Sequence, residues 1–479
     1  MARLLPTTAD NMALAAESLR CGRLVAFPTE TVYGLGCNAL DAEAAERVFR
    51  VKGRPTTDPL IVHVVDYEAA FQQLWAPDDD VRAVARALAT ALWPGPLTLV
   101  ARATSAVPRS VTGQSGFVGL RVPDHPVAQR LITAAGLPIA APSANLFGHV
   151  SPTSGPHVMN DLADRDDTLI VLDGGDCAIG IESTVIKISS SSASSAGTTV
   201  VAADGSTEGR LQLEILRRGR VSADDVVNTL RGHPTLLAKC DVSVRDTRSK
   251  YLKHDTTAAM DGPGQLLTHY APCIPTFLLT PASLRSLAVA QSAAHAPSAT
   301  GIRASLPIGG IDDANGRTGT VEPLTSTQRG GGSGSSWVAL LPHGETVAAN
   351  DTVIIDFGDL LHRLHGDCLA CRTLSSSGDV EEACRGIFDA LRWSETVRPT
   401  PKALLIPMVT EFFSSESDTG RAGLGLLTDL SGGGSSAPLP EGNAAAIIPP
   451  QRRGVALMEA VEDRLFRAAS GRVATIRYC

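Results

Sequence analysis

At 479 residues the chain exceeds one ordinary core, so roughly two to three domains are expected. A net charge of −8 argues against a surface that grips nucleic acid throughout, while leaving room for a local basic pocket. No apolar stretch approaches the ~20 residues a membrane span needs, and nine scattered cysteines suit a reducing compartment. The expected location is the cytoplasm. Arg3, Arg20 and Arg23 leave a mitochondrial pool open, against Asp10 and Glu17.

Residues 10–21 carry helical spacing (Met12, Leu14, Ala15, Leu19), with Asp10 expected as N-cap and Gly22 just past the end. The apolar run Leu24–Phe27 predicts a strand that leads into Phe27-Pro28-Thr29-Glu30-Thr31-Val32-Tyr33-Gly34-Leu35-Gly36. Hydroxyls and backbone N–H groups at such a strand-to-loop transition are placed to hold a small polar ligand. Pro28 and Gly34 would be equally at home in a plain turn. Further β-type runs follow at Leu60–Val64, Leu97–Ala101, Val118–Val122, Pro138–Ala141, Leu169–Leu172, Thr184–Ile188 and Leu213–Leu216. Helical patterns cover 42–51, 79–92 and 125–135. This is an α/β arrangement, and several connections too short for a crossover predict a mixed sheet.

The serine-rich run Ser189–Thr199 reads as a loop, and residues 233–275 as an interdomain linker. A second α/β segment then carries strands at Thr276–Leu279, Val338–Leu341, Val353–Phe357 and Ala403–Pro407, with helices over 378–393 and 453–469. Glycine–serine tracts at 330–336 and 431–436 read as insertions in surface loops. The expected division is 1–232, a linker 233–275, and 276–479.

Several polar groups stand at strand ends. In Lys52-Gly53-Arg54-Pro55, the proline pushes Arg54 toward an extended conformation, where alternate side chains converge on one anion. A solvated basic turn is the plainer reading. His63 lies on a strand, where a satisfied core histidine is the commoner outcome. Trp93-Pro94-Gly95-Pro96 reads as a shape-setting turn. Arg121 ends an apolar strand, and its planar fork suits a carboxylate. Ala141-Pro142-Ser143-Ala144-Asn145 ends another strand and Ser151-Pro152-Thr153 follows; short hydroxyl and amide groups there suit a ribose, a phosphate or an amino acid. Glu182-Ser183-Thr184-Val185 and Leu216-Arg217-Arg218-Gly219 complete the set. Neither a Walker-type phosphate loop nor a G-x-G-x-x-G run occurs.

In this order the motifs resemble the threonylcarbamoyl-AMP synthases, the YrdC-like proteins of tRNA modification, in their long two-domain form. The resemblance is strongest over about residues 8–230. It implies an N-terminal YrdC-like twisted mixed sheet with helices, plus a C-terminal Rossmann-like α/β domain. The activity it implies joins L-threonine, bicarbonate or CO2, and ATP into threonylcarbamoyl-AMP and pyrophosphate, with Mg2+ on the phosphates. A separate tRNA threonylcarbamoyl transferase would receive the product.

Carried over by position, Thr31, His63, Arg121, Ala141 and Ser183 fall to threonine, and Lys52 and Arg54 to the reacting centre and ATP phosphates. Asp58, Phe117, Ser143, Asn145, Ser151, Arg217 and Tyr270 fall to the nucleotide side. Asp58 stands where the family has asparagine, Arg218 where it has proline, and Gln265–Thr268 replaces a more basic run in a linker expected to cover the site.

Two rivals remain. One is a double-stranded RNA or tRNA binding module without catalysis, gripping phosphates with Lys52, Arg54, Arg121 and Arg217. The other is a carbamoyl-transfer maturation enzyme, whose paired C-x-x-C motifs meet only Cys368-Leu369-Ala370-Cys371 here. That pair is expected on a buried helical face, with His362 and His365 as surface residues and no metal assigned.

Overall fold

The computed structural model describes residues 1–190, 210–245, 260–262, 269–280, 337–408 and 450–478. The serine-rich run from 191, both glycine–serine tracts and linker residues 263–268 lie outside the described residues.

Eight helices accompany the first sheet among the described residues: α1 (Ala9–Arg20), α2 (Ala42–Lys52), α3 (Tyr67–Leu74), α4 (Asp79–Leu92), α5 (Pro126–Ala135), α6 (Gly155–Leu162), α7 (Ala223–Arg231) and α8 (Pro234–Leu237). Its strands are β1 (Arg3–Pro6), β2 (Val25–Phe27), β3 (Gly34–Asn38), β4 (Ile61–His63), β5 (Leu97–Arg102), β6 (Phe117–Arg121), β7 (Ile139–Ala140), β8 (Ile170–Asp173), β9 (Thr184–Ser190), β10 (Leu211–Arg217) and β11 (Cys240–Val244). They run across the sheet as β1-β8-β2-β3-β7-β4-β6-β5-β9-β10-β11. Pairing is mixed: β4 and β6 are parallel, β5 and β6 antiparallel.

Alternation along β2 explains the layering. Val25 and Phe27 face α1 and α5 through Met12, Leu19, Val127 and Leu131. Leu24 and Ala26 turn to the other side, where Val48, Phe49, Val84 and Leu88 of α2 and α4 pack. Burying both faces makes near-continuous apolar runs the natural sequence for the central strands.

Local chemistry then places the site. α2 is capped by Asp41, which accepts from Glu43 N at 2.9 Å and Ala44 N at 3.2 Å. It ends at Gly53, whose φ of 66° is left-handed. Lys52 is therefore the last helical residue, and the extended Lys52–Arg54 run expected from Pro55 does not form. In α1, Thr8 and not Asp10 is the N-cap, accepting from Asn11 N at 3.3 Å, and Asp10 sits in the first turn beside the positive helix end. Residues 233–244, expected as linker, instead build α8 and β11, the latter parallel to β10. Ser189 and Ser190 complete β9 rather than beginning a loop.

The second sheet holds β12 (Thr276–Leu279), β13 (Trp337–Leu340), β14 (Thr346–Ala348), β15 (Thr352–Asp356), β16 (Ala370–Thr373), β17 (Ala403–Pro407) and β18 (Val473–Tyr478). Its parallel core runs β18-β12-β17-β15-β16. Helices α9 (Val380–Thr396) and α10 (Pro450–Ala468) pack against it. The same helices reach the first domain. Ile387, Phe388, Leu391, Val461 and Leu465 share one core with Val32, Val150, Ile181 and Tyr270.

Buried ion pairs cross that boundary. Arg392 donates to Asp161 Oδ1 at 2.8 Å and to Val150 O. Arg464, fully buried, donates to Glu182 Oε2 at 3.2 Å and to Arg218 O at 2.6 Å. Burial pushes the Glu182 carboxyl up, but Arg464 and Arg217 outweigh it and hold the group below its usual range. Arg464→Ala is expected to cost about 3–5 kcal/mol, because Glu182 would remain charged without its partner across the interface. Thermal melting checks this, and Arg464→Met with Glu182→Gln should recover most of the loss.

Candidate functional site

One cavity opens where the C-terminal ends of β4 and β6 meet the loop after β2. Thr31, Arg54, His63, Arg121, Ala141, Ser143 and Arg217 line it, together with Thr29, Glu182 and His269. Its free volume is about 40 Å³, which is room for about three water molecules.

The two walls differ in character. On the first, the parallel register of β4 and β6 sets His63 opposite Arg121. Arg121 donates to Thr31 Oγ1 at 2.9 Å, pairs with Glu30 at 2.6 Å, and reaches Gly95 O at 3.3 Å. The Trp93–Pro96 turn thus braces the arginine. Thr29 fixes the loop, its Oγ1 donating to Val32 O at 2.6 Å and lying 2.8 Å from Thr31 Oγ1. Burial, then Arg121, pulls the His63 imidazole down to about 3, so it is neutral, and its Nδ1 has no hydrogen-bond partner among the described residues. A neutral ring beside a buried guanidinium suits the amino and carboxylate ends of an amino acid.

The second wall is cationic. Arg54 pairs with Asp58 at 2.8 Å and donates to Pro59 O at 3.0 Å. Arg217 donates to Ser183 O at 3.0 Å and Ser183 Oγ at 3.1 Å. Gly219 maintains that approach, since a Cβ there would stand 2.4 Å from Thr184 N. Lys52 Nζ donates to Ser143 O at 2.6 Å and to Asn145 O just behind the cavity. Burial and then Arg54 push the lysine well below its ordinary pKa. His269 is likewise kept far below its usual value by burial, then Arg467, Arg54, Lys52 and Arg217. Positive charge is concentrated here in a chain of net charge −8, which marks the cavity for an anion.

The remaining expected residues stand off the cavity lining. Ser183 lies beneath it, 2.8 Å from Thr98 Oγ1. Ser151 donates to Glu182 Oε1 at 2.6 Å. Asp58 faces Arg54 instead of the opening. Asn145 donates to Leu146 O at 2.7 Å and His149 O at 2.8 Å, leaving Oδ1 buried without a partner among the described residues. Tyr270 is fully buried, has φ 63°, and stacks on Phe388 at 5.2 Å. Phe117 stands at the far end of β6 from Arg121, under Lys187 Nζ at 4.0 Å, and is not brought to the cavity. Sequence reasoning missed Glu30, Glu182 and His269 as site residues. Glu30 and Glu182 sat inside quoted motifs and His269 inside the expected linker, but their pairing or position over the cavity left no mark in the sequence.

The C-x-x-C pair is also differently placed. Cys371 lies on β16 and is exposed, and half-buried Cys368 precedes the strand, so no buried helical face holds them. His365 Nε2 stands 3.1 Å from buried Asp356 Oδ2 rather than simply at the surface. Hydrogen bonds from Cys368 and His365 lower the Cys371 thiol, whereas Cys21 and Cys273 are raised. Iodoacetamide at neutral pH is therefore expected to label Cys371 ahead of Cys21 and Cys273, and more slowly after His365→Ala. Peptide mass spectrometry reads the order; equal labelling of Cys21 and Cys371 would refute it.

Comparison with known proteins places this geometry among relatives. A family model described as "Telomere recombination" (Sua5, YciO and YrdC) matches residues 17–196. A threonylcarbamoyl-AMP synthase of Pyrococcus abyssi is 49% identical over 175 residues, 36% of this chain and 50% of that protein. One of Vibrio cholerae is 37% identical over 158 residues, 33% of this chain and 82% of that protein. The crystal structure of P. abyssi Sua5 complexed with L-threonine superposes with a TM-score of 0.59 at 25% identity, covering 99% of this chain and 98% of that one. The sequence matches span about half the length of the P. abyssi and Bacillus subtilis synthases.

Proposed function

Because the chain belongs to the threonylcarbamoyl-AMP synthase family, we propose that it joins L-threonine, bicarbonate or CO2, and ATP into threonylcarbamoyl-AMP, releasing pyrophosphate. The observation that carries this reading is the meeting of two unlike walls in one cavity. The Arg121–Thr31–His63 side suits an amino acid, and the Arg54–Arg217 side, backed by Lys52, suits phosphates.

In the proposed reaction the threonine amine attacks the CO2 carbon and loses a proton, giving a carbamate. A carbamate oxygen then attacks the α-phosphorus, and the bond to the β-phosphate oxygen breaks. No protein nucleophile is needed, so the chain's work is positioning and charge neutralisation. Arg121 would orient the threonine carboxylate through its fork, with Ser183 and Ala141 supporting that side from beneath and beside it. His63, neutral, would accept from the amine without adding positive charge. Lys52, Arg54 and Arg217 would neutralise the triphosphate, with Ser143 and Ser151 on the nucleotide side.

Mg2+ fits the donor set at one point: Asn145 Oδ1 is a buried, unpartnered oxygen beside the cationic wall, and this hard ion takes oxygen ligands, mostly from phosphates and water. When bound it would neutralise phosphate charge further. His269 and Tyr270 would act as a cover that withdraws for entry, since about 40 Å³ cannot admit ATP. Closed, it would shield the water-labile carbamate and mixed anhydride.

We divide the chain accordingly into a catalytic domain through about residue 232 with β11 appended, a linker, and a C-terminal accessory domain. Product would pass to a transferase acting on tRNA. No helix among the described residues is long and apolar enough to cross a membrane. Cysteines without disulfides among the described residues support a cytoplasmic setting.

The test is threonine-dependent pyrophosphate release from ATP with bicarbonate and magnesium, with mass detection of threonylcarbamoyl-AMP. Both products are expected. Absence of both, where ATP demonstrably binds, would overturn the reading in favour of a non-catalytic binding module.

A further inference from the structure

Away from the cavity, where the linker meets both domains, one donor atom from each of His149, Cys273 and Glu395 lies within 4.8 Å of the others. The three come from separate segments: the loop beyond Asn145, the stretch before β12, and the last turns of α9. His149 Nε2 stands 3.0 and 3.2 Å from the Glu395 carboxylate oxygens, and Glu395 Oε1 accepts from Cys273 N at 2.6 Å. On its other side, His149 Nδ1 is 2.8 Å from Asp161 Oδ2, and Arg392 braces that carboxylate at 2.8 and 3.1 Å.

We propose that His149 Nε2, the Cys273 thiolate and a Glu395 oxygen bind a divalent transition metal of the zinc class, with water completing the coordination. Imidazole, thiolate and carboxylate together favour a borderline-soft ion over magnesium or calcium. The Asp161–His149 bond supplies what most metal-binding histidines have: a carboxylate on the non-ligating nitrogen that fixes the ring. With a carboxylate at each ring nitrogen, the metal-free histidine donates from both and is an imidazolium. Binding therefore exchanges one M2+ for two protons, from His149 Nε2 and the Cys273 thiol, and leaves the net charge of the cluster unchanged. Cys273 is exposed and His149 and Glu395 are half-buried, so an ion has a route in.

The site would pin the linker. Ala271 N already donates to Gly148 O at 2.9 Å, one residue before His149. A metal at Cys273 would tie the same segment to α9, and with it His269 over the cavity.

The full chain, stripped with a chelator, is titrated with Co2+ and followed by absorbance. A thiolate-to-cobalt band saturating at one equivalent, and displaced by Zn2+, is expected. Cys273→Ser should abolish the band and weaken Zn2+ binding at least about 10-fold; Glu395→Gln, which keeps an acceptor for Cys273 N, should weaken Zn2+ binding by a similar factor. A Cys368→Ser/Cys371→Ser variant should keep the band. Absence of the band, its survival in Cys273→Ser, or its loss only in the Cys368→Ser/Cys371→Ser variant would overturn the proposal.

Discussion

Lys52→Ala is expected to lower pyrophosphate release about 10²–10³-fold at saturating substrates, the scale seen when one preorganised donor is removed from a reacting centre. The lysine ends α2 because Gly53 takes the left-handed conformation that stops the helix. Its side chain then clips the loop after β7, donating to Ser143 O and Asn145 O. Burial disfavours its charged form, and an incoming phosphate would restore that form. The ammonium is thus poised to gain most when a triphosphate arrives.

The substitution also has a structural cost, since two buried carbonyls lose a donor at about 1–3 kcal/mol each. Turnover must therefore be read beside a melting curve. A folded variant with near-wild-type turnover would sink the proposed role. Arg54→Ala is the poorer test, because Asp58, 2.8 Å from Arg54 and equally buried, would lose its counter-charge.

What could be read in the sequence follows from what burial leaves in it. The runs around β2, β6 and β8 were legible because strands buried on both faces must be apolar. β3 was not, because Gly34 and Gly36 look like a turn. Yet Gly36 is where a Cβ would stand 2.8 Å from Ile139 and from the Phe27 ring, so close packing hides the strand. β11 was missed for a different reason: Cys240–Val244 lies at the sheet edge, where alternating polar residues resemble a linker. In the site, Arg121 and Arg217 stood out as cations at strand ends, and Arg54 as one of two cations flanking a glycine. The partners Glu30 and Asp58, and the Arg464–Glu182 pair beside Arg217, did not, since pairing is a property of three-dimensional approach. Phe117 stands apart from Arg121 because four residues of extended strand separate them, roughly 13 Å at 3.3 Å per residue.

Those pairings change what the cavity does. A pocket of bare arginines would repel itself; here Arg54 and Arg121 are each held by a carboxylate that also sets its direction, and Arg217 by the carbonyl and hydroxyl of Ser183. An anionic substrate then competes with, or adds to, an existing pair. Specificity comes from the part of each fork these partners leave over, and from groups such as Thr31 and Ser183 that share it.

Arg121→Ala tests this for the amino-acid side. Charge-assisted hydrogen bonds contribute about 1.5–3 kcal/mol, so the threonine KM is expected to rise about 10- to 150-fold with a much smaller change in the KM for ATP. Loss of Arg121 also strands Glu30, which is 5% exposed and paired at 2.6 Å, and the variant should melt earlier for that reason. Adding Glu30→Gln separates the two effects: stability should return while threonine affinity does not. Arg121→Lys should recover only part of the affinity, because an ammonium keeps the charge but lacks the planar fork that Thr31 and Gly95 O orient. Steady-state kinetics with each substrate varied in turn, beside melting curves for all four proteins, gives the answer. If the threonine KM of Arg121→Ala stays at the wild-type value, or recovers in the double variant, the carboxylate contact lies elsewhere and Arg121 serves only to hold Glu30 and the Thr31 loop.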